Sequence, residues 1–163
     1  MMAPALPPRG LAPFASPFHS GRDDFPAGRD ALPSDALYIF YTSGTTGRPK
    51  GVVVEHLGLC HRINWLQNEY PLDRSSVLLQ KAAYGFGVSE WEFFWPLTCG
   101  GASLVMAEPG GHRDPQYLHE TIAAEMCTHL FFVPSLLTVL LEHLSLERAP
   151  RALVTTRHVY CVG

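Results

Sequence analysis

The chain has 163 residues, 47% of them hydrophobic and 17% charged, with a formal net charge of -3. That suffices for one domain with a sizeable core, and it excludes the basic footprint of a nucleic-acid binder. No apolar run is long enough to span a bilayer. Residues 1–32 lack the charged start and long apolar core of a secretory signal.

Residues 1–35 are rich in Pro, Gly and Ala and hold no period of two or 3.6, so they read as a linker or disordered lead-in. Residues 36–163 read as one domain. The apolar and aromatic run 36–41 predicts a buried strand, and the β-branched triplet 52–54 predicts another. Between them stand Thr42, Ser43, Gly44, Thr45, Thr46, Gly47, Arg48, Pro49, Lys50 and Gly51. The glycines let the backbone turn and approach a ligand closely. The hydroxyls, free N–H groups and the Arg48 and Lys50 charges suit phosphate oxygens. A Walker A loop ends Gly-Lys-Ser/Thr and opens a helix. Here Pro49 precedes the lysine and a β-branched triplet follows it, so the loop is expected to join two strands. On composition alone a solvated Ser/Thr/Gly hairpin is equally open.

Residues 55–70 read as a helix whose stripe is Leu57, Cys60, Ile63 and Leu66, widened by Leu59 and Trp65 and ended by Pro71. A strand over 76–80 and a glycine-containing turn over 82–87 follow. Ser89 is the expected N-cap of the next helix, with Glu90 and Glu92 in the first turn, where the helix dipole favours acid. Trp91, Phe93, Phe94 and Trp95 make that helix apolar nearly all round, which predicts burial. Pro96 is expected to kink or end it, and Gly100-Gly101 to close the segment. Strands are expected over 103–107, 129–133 and 158–162. One helix opens at Asp114-Pro115 and runs to about 126; another runs from Pro134 to about 143. This alternation predicts an α/β fold, a mostly parallel sheet with flanking helices.

Cys60, Cys99, Cys127 and Cys161 are scattered, without a Cys-x-x-Cys pair. Reduced, mostly buried thiols in a cytoplasmic protein are expected. His56, Cys60 and His61 share part of a helix face, but structural or surface roles are expected for them and no metal site.

The string Tyr41-Thr-Ser-Gly-Thr-Thr-Gly-Arg-Pro-Lys-Gly51 resembles the phosphate loop of the AMP-forming adenylating enzymes. These are the acyl-CoA synthetases, the luciferases and the adenylation domains of nonribosomal peptide synthetases. Val53-Val-Glu-His-Leu-Gly-Leu59, Gly110-Gly-His-Arg-Asp-Pro115 and Phe131-Phe-Val-Pro-Ser-Leu136 are similar to the peptide-synthetase branch. The resemblance covers about 35–163 and implies part of the N-terminal subdomain of such an enzyme. It implies ATP, with the β- and γ-phosphates held by Thr42, Ser43, Gly44, Thr45, Thr46, Gly47 and Lys50. It also implies Mg2+, whose ligands are mostly outside this chain.

Phe86-Gly-Val-Ser-Glu-Trp-Glu92 is similar to that branch's Phe-Asp-x-Ser-x-Trp-Glu, in which the Asp pairs with the substrate's α-ammonium group. The resemblance puts Phe86, Gly87, Val88, Trp91 and Phe131 around the acid. Plain core packing stays open for Trp91 and Phe131, and is the reading preferred for Phe93, Phe94 and Trp95. Gly87 stands where the Asp is expected, and a desolvated ammonium without a paired carboxylate is costly. Three readings remain: a substrate without an amino group, a carboxylate from elsewhere such as Glu90, or a degraded site.

The implied function is ATP-dependent activation of a carboxylic acid, amino acid or related acid, as an acyl-adenylate. A phosphopantetheine thiol on a carrier protein, or CoA, then takes the acyl group. No residue here is assigned a catalytic role. The family's aromatic-Gly-Pro-Thr-Glu segment, ribose-binding Asp and C-terminal lysine are absent from these 163 residues. The chain alone is therefore expected to lack full activity and to belong to a longer enzyme. The rival is a non-enzymatic truncated remnant that folds partly or binds nucleotide weakly.

Overall fold

The computed structural model describes residues 31–43, 47–99, 101–147 and 153–162, almost all in one unit, Leu32–Gly163. Most of the expected lead-in lies outside the described residues. Strands β1 (Ala36–Thr42) and β2 (Lys50–Glu55) form an antiparallel hairpin in which Thr42 pairs with Lys50 at the mouth. The loop therefore does join two strands. Neither strand is buried as expected: Ile39, Tyr41 and Val53 are 52%, 69% and 56% exposed. The hairpin is a sheet of its own. Its register sets Ile39, Tyr41 and Val53 on one face and half-buried Tyr38, Phe40 and Val54 on the other, so only one face meets the protein.

Helix α1 (His56–Glu69) buries Leu59, Ile63 and Leu66. Leu57, Cys60 and Trp65 of the expected stripe are exposed. Steps of three drift around a helix of 3.6 residues per turn, whereas 59, 63 and 66 stay on one side.

Strands β3 (Val77–Gln80), β4 (Ser103–Met106), β5 (His129–Phe132) and β6 (His158–Cys161) form a parallel sheet in the order β4-β3-β5-β6. Helices α2 (Val88–Thr98), α3 (Pro115–Ala124) and α4 (Pro134–Leu146) complete the fold. Side chains that alternate along a strand feed two cores. Leu79, Leu130 and Phe132 pack with Leu118, Ile122, Leu140 and Leu144 of α3 and α4. Leu78 and Phe131 pack with Trp91 and Trp95 of α2 and with Leu59, Ile63 and Leu66 of α1. The expected α/β class, a parallel sheet with flanking helices, is what forms.

Local signals fared unevenly. Asp114 caps α3, its carboxylate accepting from the N–H groups of Gln116 and Tyr117, with Pro115 in the first turn. Ser89 is not a cap: α2 starts at Val88 with Gly87 at the cap position. The Ser89 hydroxyl instead donates to the Phe86 carbonyl at 2.8 Å. Pro96 lies inside α2, which continues to Thr98. Trp95 beside it is fully buried, and that packing outweighs the lost backbone bond, a penalty of about 3 kcal/mol. The thiols are free, but only Cys127 is buried; Cys60 and Cys161 are exposed and Cys99 is half-buried. Cys60 falls off the buried side of α1, and Cys161 ends edge strand β6. No described helix is long and apolar enough to cross a membrane. Among the described residues no group of three His, Cys, Asp or Glu is placed to hold a metal ion.

Candidate functional site

In a parallel sheet the loops after every strand emerge at one end. Ligands gather there, at the point where the chain reverses its order of laying down strands. That point lies between β3 and β5, since β4 was added on one side of β3 and β5 on the other. The segment 81–87 leaves the carboxyl end of β3, Val133 that of β5 and Val162 that of β6.

The segment 81–87 is held from below. Glu92 is 1% exposed, and its Oε2 accepts from the N–H groups of Lys81 (3.2 Å) and Ala82 (3.0 Å) and from Gln80 Nε2 (3.3 Å). Burial pushes its pKa up, against those hydrogen bonds and the nearby Lys81 charge. Its Oε1 has no partner among the described residues. Glu92 therefore serves the loop, not the helix dipole. Glu90 is 7% exposed and ion-paired with Arg62 of α1, and burial raises its pKa too. That pairing already engages the charge that would have to replace the carboxylate missing at Gly87.

A cavity of about 690 Å³ opens between α1, α2 and β6. Gly87, Val88 and Trp91 line it, together with Arg62, Tyr160 and Val162. Trp91 is 8% exposed, its ring edge-on to Phe131 at 5.3 Å and to Tyr160 at 5.5 Å. An ideal Cβ on Gly87 would have only Phe40 Cε2 nearby, at 3.7 Å. Phe131 is buried and lines a second cavity, of about 260 Å³, with Phe86, Val88 and Lys81. Phe86 is 70% exposed. The five expected pocket residues thus surround two neighbouring cavities that share Val88.

The hairpin mouth belongs to another sheet, and strand β1 lines a further cavity with Tyr84, Gly85 and Ser89. Thr42, Ser43, Gly47, Arg48 and Lys50 are exposed. Gly47 has φ +79°, a left-handed conformation suited to glycine, and nothing lies within 4 Å of where a Cβ would be. Gly44, Thr45 and Thr46 lie outside the described residues. The exposed hydroxyls of Thr42 and Ser43 and the exposed Lys50 are compatible with phosphate oxygens.

Sequence reasoning missed Arg62, Lys81, Tyr160 and Val162. Arg62 and Lys81 carried no motif. Tyr160 and Val162 reach the cavity only through the β5–β6 pairing, seventy residues beyond Gly87.

A family model described as AMP-binding enzyme matches residues 8–163. Enterobactin synthase component F of Shigella flexneri is 45% identical over 131 residues, covering 80% of this chain and 10% of that protein. The nonribosomal peptide synthetase FmoA3, solved with AMPPNP, superposes with a TM-score of 0.69 at 32% identity, over 77% of this chain and 13% of that one. It was also solved with alpha-methyl-L-serine-AMP bound. The NpsA N-terminal subdomain of Klebsiella oxytoca, in complex with 3-hydroxybenzoyl-AMSN, gives 0.63 at 29% identity, over 80% of this chain and 31% of that one. The chain belongs to the AMP-binding enzyme family. Its fold is that of part of an adenylation domain's N-terminal subdomain, and it spans about a tenth of the length of the curated relative.

Proposed function

We propose that this chain is part of a cytosolic enzyme that activates a carboxylic acid with ATP, giving an acyl-adenylate and pyrophosphate. The acyl group then passes to a thiol, that of phosphopantetheine on a carrier protein or of CoA. The observation that carries the reading is the cavity in which Gly87, Val88 and Trp91 stand together at the carboxyl end of the sheet. Thr42, Ser43, Gly44, Thr45, Thr46, Gly47 and Lys50 would hold the departing β- and γ-phosphates. Preorganised donors stabilise charge as it develops there, at no reorganisation cost during the reaction. Mg2+, when bound with ATP, neutralises phosphate charge, with most of its protein ligands outside this chain. Phe86, Gly87, Val88, Trp91 and Phe131 would shape the acid site.

The related structures hold both an aminoacyl-AMP and an aryl-acid analogue. Gly87 favours an acid without an α-ammonium group, since among the described residues no carboxylate lines its cavity and Glu90 is paired with Arg62. The test is acid-dependent exchange of pyrophosphate into ATP by the full-length protein, over amino acids and their desamino counterparts. Desamino acids should support the faster exchange. Gly87→Asp, whose Cβ would meet only Phe40 at ordinary contact distance and whose φ of -58° suits any residue, should move the preference toward amino acids. Exchange that is fastest with an amino acid in the parent protein would contradict the substrate reading. No exchange with any acid would leave the non-enzymatic remnant.

A further inference from the structure

Lys81 follows the last residue of β3 and is 7% exposed. Its ammonium has three N–H donors to satisfy. Among the described residues its Nζ makes neither a hydrogen bond nor an ion pair. It stands over aromatic faces instead, 4.1 Å from the Phe132 ring centroid and 5.7 Å from that of Phe131. Such cation–π contacts offset only part of the lost hydration. Burial draws the Lys81 pKa down to about 8, so the group is still mostly charged at neutral pH.

The amine lines the cavity of about 260 Å³, whose other walls include Phe86, Val88, His112, Phe131 and Leu136. That volume equals roughly eight or nine waters, room for a small group. The cavity lies where the sheet order reverses, between the carboxyl ends of β3 and β5. Among the described residues no carboxylate lines either this cavity or the one at Gly87. Lys81 is the cation in this wall, with the charge of buried Glu92 nearby, whereas Arg62 at the Gly87 cavity is paired with Glu90. The two share Val88. The surroundings favour an anion and oppose an ammonium.

We propose that the cavity at Lys81 is a subsite for a second carboxylate of the acid substrate, so that the preferred acids are dicarboxylates. This rests on the acid-activating reading above and narrows its substrate class. The apolar walls offer the Lys81 ammonium no acceptor of their own, and a ligand carboxylate would supply one. A charge-assisted hydrogen bond in such surroundings is worth roughly a tenfold preference or more.

Two experiments on the full-length protein test it. The first compares glutarate with pentanoate, which differ by one carboxylate, in ATP–pyrophosphate exchange. The wild type should favour glutarate at least tenfold, and Lys81→Met should bring the two close to parity. Methionine keeps a flexible apolar stem against the Phe132 ring, and unchanged melting would show that the fold is intact. A preference for pentanoate, or a glutarate preference that survives the substitution, would overturn the proposal.

The second needs no catalysis. The chain has two lysines, Lys50 and Lys81, and reductive methylation can be followed at each by mass spectrometry. Millimolar glutarate should slow modification of Lys81 where pentanoate does not, each measured against the rate without added acid. Equal rates at Lys81 with both acids would overturn the subsite. Absence of exchange with every acid would contradict the activity reading, and the protection experiment would still decide Lys81.

Discussion

His129 is 3% exposed in β5. Its ring stacks on His158 at 4.9 Å and meets Trp95 edge-on at 6.0 Å. Nδ1 lies 2.7 Å from the Thr128 hydroxyl, and Nε2 has no partner among the described residues. Burial first, then the charges of His158 and Arg157, pull its pKa from 6.5 down to about 4. The folded state thus prefers the neutral ring. The stability this contributes is complete above pH 6.5 and is lost as pH falls through about 4, a loss of roughly 3 kcal/mol by pH 4. Denaturant unfolding of wild type and His129→Gln at pH 7, 5.5 and 4 should show the wild type losing more, by about that amount. Parallel losses would place the proton elsewhere. The sequence showed His129 only as the start of an apolar strand. Its burial comes from Trp95 and His158, neighbours brought together by the fold. Lys81 was overlooked for the same reason, since the ring beneath it, Phe132, is fifty residues on. Gly87 was readable at once, because a missing carboxylate is a property of one position.

Elements whose boundaries rest on local chemistry were the readable ones. Asp114 and Pro115 marked the start of α3 because the cap needs only its next three residues: Oδ1 accepts from Gln116 N at 2.9 Å and Tyr117 N at 3.2 Å. Asp114→Ala should cost about 1 kcal/mol, read as a melting temperature lower by a few degrees, whereas an unchanged melting point would show the cap to be redundant. The start of α2 was misplaced because Ser89 has a cap's chemistry but bonds backward to Phe86. The faces of β1 and β2 were misjudged because a run of apolar residues does not show whether one side or two will be covered. The loop between them was read correctly as a strand–strand connection, since Pro49 and the β-branched triplet forbid a helix there.

At the scale of the molecule, alternating strands and helices announced a parallel sheet, but no local signal orders the strands. The reversal between β3 and β5 gathers the segment 81–87, Phe131 and Val133 at one crevice, and the β5–β6 pairing adds Tyr160 and Val162 to the cavity at Gly87. The hairpin carries its polar mouth on a sheet of its own. In the proposed enzyme the two regions divide the work, phosphates at the hairpin and acid at the crevice. Lys50 separates folding from function cleanly: it is exposed at the rim, its backbone pairs with Thr42 in the hairpin register, and an exposed lysine contributes little to stability. The most direct measurement is acid-dependent ATP–pyrophosphate exchange by full-length wild type and Lys50→Ala, each normalised to folded protein by its melting curve. Exchange should fall by roughly a hundredfold or more, the usual cost of removing one electrostatic stabiliser, with the melting temperature almost unchanged. A sharply lowered melting temperature with unchanged exchange per folded molecule would make the hairpin a structural turn and contradict the phosphate-binding role.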